Sequence, residues 1–186
     1  IFTNATPVTI NTLTSPLTAP IPATLYPSAI NVTGMTGTVT KVEVTLKGFN
    51  HEFFNQVDML LVGPTGARFV FMADAGGSWN VADRVYTFAD DAPTTLSSSN
   101  PVPSGQYRPT SGDSLTDVFP SPAPAGPHPI PPADGFASVF NGSDPNGEWR
   151  LFAVDDTVGN RGFISGGWEL AITTGGQPQT FSNPAY

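Results

Sequence analysis

The chain has 186 residues, a net charge of −8, no cysteine and only 12% charged residues. So acidic a balance excludes the basic footprint of a nucleic-acid binder, and the missing cysteine excludes thiol catalysis, Cys-based metal sites and disulfide staples. No apolar run approaches the roughly 20 residues a spanning helix needs, so membrane insertion is not expected.

The length suits one large domain. Gly 19 and Pro 20 are spread along the chain beside Val, Ile, Thr and Phe, the pattern of many short strands joined by turns. No window sustains a helical period, and little or no helix is expected. Scarce Lys, abundant Thr, Ser, Asn and Gly, and a start at Ile1 fit a processed, secreted, extracellular protein.

Residues 2–12 alternate weakly, with Phe2, Asn4, Thr6, Val8, Ile10 and Thr12 on one face. The three prolines from Ser15 to Pro22 cannot donate to a ladder and read as a hinge. Residues 1–22 therefore form an extended leading strand plus hinge, and 23–174 a globular unit. Ala29–Thr33 reads as a short strand and Gly34–Gly37 as a turn. Val42, Val44 and Leu46 alternate with Lys41, Glu43, Thr45 and Lys47, a strand with one face buried.

Val57–Gly63 is apolar on both faces apart from Asp58, as in a central strand. Gly63-Pro64-Thr65-Gly66 turns it into Phe69–Ala73, making a hairpin. Arg84–Ala89 is a further strand. From Thr94 to Ala137 the chain is mostly loop, and its Pro-rich run 120–132 is too rigid and polar for regular structure, so it packs on the surface.

From Asp144 to Thr174 the spacing predicts a β-hairpin with a tryptophan on each arm. Trp149, Leu151 and Ala153 alternate on the first arm, and Trp168, Leu170 and Ile172 on the second. Each Trp buries on the order of 150–250 Å², which makes Trp149, Leu151, Trp168, Leu170 and Ile172 the expected heart of the core. Gly166-Gly167 suggests a bulge or a close backbone approach. Residues 175–186 read as a linker and tail, in which Phe181-Ser182-Asn183-Pro184 echoes Phe2-Thr3-Asn4-Ala5.

Chemistry-bearing residues are few. His51 ends a strand and reads as structural, while His128 lies among prolines in the long loop. No Gly-x-Ser-x-Gly elbow supports a nucleophile, so the chain is not expected to be an enzyme. Asp58, Asp74, Asp90, Asp91, Asp155 and Asp156 fall at strand ends or turns, where carboxylates converge on a hard cation or make Asx-type bonds. Calcium is the candidate cofactor, with Asp74, Asp90, Asp91 and Asp58 as first ligands. Tyr107, Trp79 and Phe136 could stack a sugar or cover the sandwich ends.

Taken in order, a series of short matches resembles the P domain of proprotein convertases, in its bacterial form. The pieces are Ile30-Asn31-Val32-Thr33-Gly34; Val42 to His51 followed by Asp58-Met-Leu-Leu-Val-Gly-Pro-Thr-Gly; the Gly76-Gly77 turn; Thr87-Phe88-Ala89-Asp90-Asp91-Ala92; Gly105-Gln-Tyr-Arg-Pro109; and Phe140 through Trp149 to Trp168-Glu-Leu-Ala-Ile172. They span roughly residues 28–174. The resemblance implies a jelly-roll β-sandwich of the galactose-binding-like type with eight or nine strands. It also implies a non-catalytic extracellular module, in a family where some members hold calcium.

Two functions follow as expectations. In the first, copies join head to tail into a filament by strand addition, with Phe2, Val8 and Ile10 as donated anchors. In the alternative, the chain is an accessory or ligand-binding module of a larger secreted peptidase or adhesin.

Overall fold

The computed structural model describes residues 1–12, 18–112 and 117–176. In chain order the strands are β1 (Phe2–Asn4), β2 (Val8–Asn11), β3 (Ile21–Pro22), β4 (Ser28–Val32), β5 (Thr38–His51), β6 (Val57–Val62) and β7 (Arg68–Ala73). There follow β8 (Val81–Phe88), β9 (Gly105–Tyr107), β10 (Thr110–Ser111), β11 (Gly147–Asp155), β12 (Gly162–Ile164) and β13 (Trp168–Gly175), with a short α-helix, α1 (Phe136–Phe140), before β11 and a 3-10 turn (Phe54–Gln56) before β6. The chain is all-β, as its turn-rich composition predicts. Among the described residues five of the thirteen strands have only two or three residues, which is why the sequence suggests fewer.

The strands form two mixed sheets. The first has seven strands built around the 14-residue β5, whose one edge pairs with β13 and then β12, and whose other edge pairs with β8. The second has six strands, with β11 at its centre between β6 and the pair β3 and β4. The β6–β7 hairpin forms as expected, closed by a Gly66 N–H bond to the Gly63 carbonyl of 3.0 Å.

The expected tryptophan hairpin does not form. Trp149 lies on β11 in the second sheet, and Trp168 on β13 in the first. Both arms carry the period of two because each buries one face against the same core from opposite sides. Pattern alone cannot separate that arrangement from direct pairing. Both rings are fully buried, along with Leu151 and Leu170, and Ile172 packs on them partly exposed. Their indole N–H groups are satisfied: Trp149 donates to the Pro145 carbonyl at 2.8 Å, and Trp168 donates across the sheets to Ser28 Oγ at 3.0 Å.

The leading segment is also corrected. It does not extend away as a donor strand: β1 pairs antiparallel with β13, and β2 with β12, within the same chain. Val8 and Ile10 are 1% exposed, and Phe2 packs against the same core. Burying three apolar side chains intramolecularly avoids the translational cost of finding a partner. At Gly167 an added Cβ would lie 2.0 Å from the Asn4 carbonyl oxygen, the close approach expected at the double glycine. Part of the predicted hinge (13–17) and the tail echo (181–184) lie outside the described residues.

The Pro-rich insertion covers the outer face of the second sheet. Phe119, Ala123 and Ile130, with Tyr26, pack on Leu60, Val62, Val70, Phe152 and Val154 in a second apolar cluster. Its backbone is pinned by the Val70 N–H bond to the Pro129 carbonyl (3.1 Å) and by Arg68 Nη2 to the Ala125 carbonyl (3.2 Å). That cover explains why β6 is buried along its whole length.

Candidate metal centre

Asp58 stands near the start of β6, opposite the end of β7, because Met59 pairs with Met72 in the hairpin. Asp74 follows β7 directly and its N–H donates to Asp58 Oδ1 at 3.3 Å. Its φ of 48° lies in the left-handed region, which aspartate tolerates better than most residues. Strand β10 then runs parallel to β7, with Ser111 beside Ala73 and the Gly112 N–H bonded to the Ala73 carbonyl at 2.8 Å. A Cβ on Gly112 would sit 1.9 Å from the Asp74 carbonyl oxygen, so only glycine passes here. Asp117 lies beside the other two acids.

One carboxylate oxygen from each of Asp58, Asp74 and Asp117 lies within 4.8 Å of the others. Asp58 is 1% exposed. Burial, followed by the neighbouring charges of Asp117, Asp156 and Asp74, pushes its carboxyl up to about 9, against a smaller downward pull from the Asp74 N–H. Without a cation, Asp58 therefore keeps its proton at neutral pH. The donor set is all carboxylate oxygen, which suits a hard divalent cation of the calcium or magnesium kind and not a thiolate- or imidazole-seeking one. An ion there would supply the positive charge that otherwise only a proton supplies.

Two of the four expected ligands, Asp58 and Asp74, meet in this cluster. The other two are engaged elsewhere. Asp90 accepts the Phe136 and Ala137 N–H groups at 3.0 and 2.7 Å, capping α1. Asp91 pairs with Lys41 at 2.9 Å, and that contact holds its carboxyl below the usual range. A helix cap and an ion pair are both uses of a turn aspartate that a sequence cannot distinguish from ligation. Asp117 escaped the sequence reading because it sits in a long loop with no periodic signal.

His51 is 2% exposed. Its Nδ1 lies 2.6 Å from the Phe53 carbonyl and its Nε2 3.4 Å from Asp155 Oδ2, so the structural reading matches its position. His128 meets Phe119 edge to face, and desolvation together with the Arg68 charge lowers its pKa. Of the candidate sugar-stacking rings, Phe136 and Tyr107 are buried in the core, while Trp79 stays 40% exposed with its N–H on the Ser98 carbonyl.

The geometry defines a two-sheet β-sandwich with an acidic trio at one hairpin end. No protein-family model, curated protein or solved structure matches the chain. Among the described residues no helix is long and apolar enough to cross a membrane.

Proposed function

We propose that this chain is a non-catalytic extracellular module, a jelly-roll sandwich of the P-domain kind, whose folded state is reinforced by a calcium-class cation at Asp58, Asp74 and Asp117. The observation that carries the reading is a trio of carboxylates within 4.8 Å built around a side chain that is 1% exposed. Three such groups cannot all ionise so close together at low dielectric without a counter-charge. The ion would tie the β6–β7 hairpin to the loop that follows β10, closing one end of the sandwich. A non-catalytic role is further supported by the enclosure of His51, read from the sequence as structural, against Asp155 and the Phe53 carbonyl.

The accessory-module version is favoured over filament formation by a donated leading strand. The anchors Phe2, Val8 and Ile10 already fill the chain's own sandwich. The test is thermal melting in calcium and in chelator, with calcium titrated calorimetrically. A calcium-dependent rise in melting temperature that Asp58→Asn abolishes supports the proposal. An identical midpoint in both conditions overturns it.

A further inference from the structure

His128 is set into the Pro-rich segment that covers the outer face of the second sheet. It is 8% exposed and meets the Phe119 ring edge to face, with ring centres 5.6 Å apart. Its Nδ1 is buried and has no hydrogen-bond partner among the described residues, as is also true of Tyr26 Oη and Arg68 Nε. The cover is therefore held chiefly by apolar contact, through Phe119, Ala123 and Ile130. Its polar tethers to the sheet are the Val70 N–H on the Pro129 carbonyl and Arg68 Nη2 on the Ala125 carbonyl.

The surroundings of His128 disfavour a positive charge. Packed on the same face are the guanidinium of Arg68 on β7, that of Arg150 on β11, which lies 5.9 Å from the Phe152 ring centre, and the Tyr26 hydroxyl. Asp58 shares the face, two residues before Leu60 on β6, but it stands with Asp74, Asp117 and Asp156 at the hairpin end. None of the ion pairs among the described residues includes His128. Burial, and then the Arg68 charge, lower its pKa from the ordinary 6.5. Once the segment lifts, the hydrated ring takes up a proton near its ordinary value, so the released state binds a proton that the docked state rejects. Docking is thus favoured above pH 6.5 and weakens as pH falls, by at most about tenfold for each pH unit.

We infer that residues 119–132 form an acid-released strap, which lifts when His128 is protonated and uncovers the apolar face made by Leu60, Val62, Val70, Phe152 and Val154. The core between the sheets keeps its contacts, so the sandwich stays folded while the strap opens. The device works through His128 and does not require the cation.

The test follows the full chain by NMR from about pH 7.5 to about pH 5, in calcium and in chelator so that Asp58 is held apart. The Ile130 methyl and Val70 amide signals should move together toward the positions of exposed chain, with a midpoint below pH 6.5, while Ile164 in the core between the sheets stays fixed. A dye that fluoresces on apolar surface should bind several-fold more at the acid end. His128→Gln and His128→Leu, neutral throughout, should each abolish the pH dependence of both readouts. Ile130 signals that stay fixed across the range, either neutral variant opening with acid as the parent does, or an Ile164 signal that shifts in step with Ile130 would each overturn the proposal.

Discussion

Asn11 Nδ2 donates to Asp155 Oδ2 at 2.9 Å, joining the last residue of β2 in one sheet to the last residue of β11 in the other. His51 Nε2 approaches the same oxygen at 3.4 Å, and the Thr157 N–H holds Oδ1 at 3.0 Å. The contact is buried, so each partner is worth more than it would be at the surface. Asn11→Ala withdraws one donor from an enclosed carboxylate. It should cost about 1–3 kcal/mol, read as a lower urea midpoint at unchanged slope. A midpoint equal to the parent's would show that the clasp contributes nothing.

The same clasp makes the leading segment part of the fold. Deleting residues 1–11 removes β1 and β2 and with them Val8 and Ile10, each worth about 1.5–3 kcal/mol of burial. The truncated chain should lose its cooperative melt and its dispersed amide spectrum. If it folded like the parent, β1 and β2 would be dispensable additions to the sandwich.

Asp58 contributes a pH dependence to the cation-free protein. Its folded pKa, about 9, lies above the ordinary 3.8, so between these values the folded state binds a proton that the unfolded state has released. Stability in chelator therefore falls as pH rises from about 4 through 9, the opposite of the usual ion-paired carboxylate. Calcium should flatten that fall, because the metal takes the place of the proton. Asp58→Asn should remove the slope as well as the calcium response. Melting temperature against pH, with and without calcium, checks both, and a profile in chelator that rises with pH would refute the assignment.

Much of the strand content was legible without coordinates. Val42, Val44 and Leu46 alternate with polar residues and lie in β5 with that face buried, and the Gly63–Gly66 turn joins β6 to β7 as its residues require. Such features are local, decided by side-chain period and turn chemistry. Two of the three acids in the cluster were legible too, since Asp58 and Asp74 sit at the ends of one hairpin.

What lay beyond the sequence was every choice of partner. Trp149 and Trp168 carry the same alternation whether they pair or face each other, and only the packing of β11 against β6 and β13 against β5 separates the two. The leading strand shows an apolar face, but nothing in its own residues says which chain's sheet will bury it. Asp117 joins Asp58 only because β10 docks parallel on β7. Periodicity and turn chemistry act over a few neighbouring residues and are written in them. Strand pairing and ligand convergence depend on contacts between distant segments, whose energies exist only once the core has closed around them.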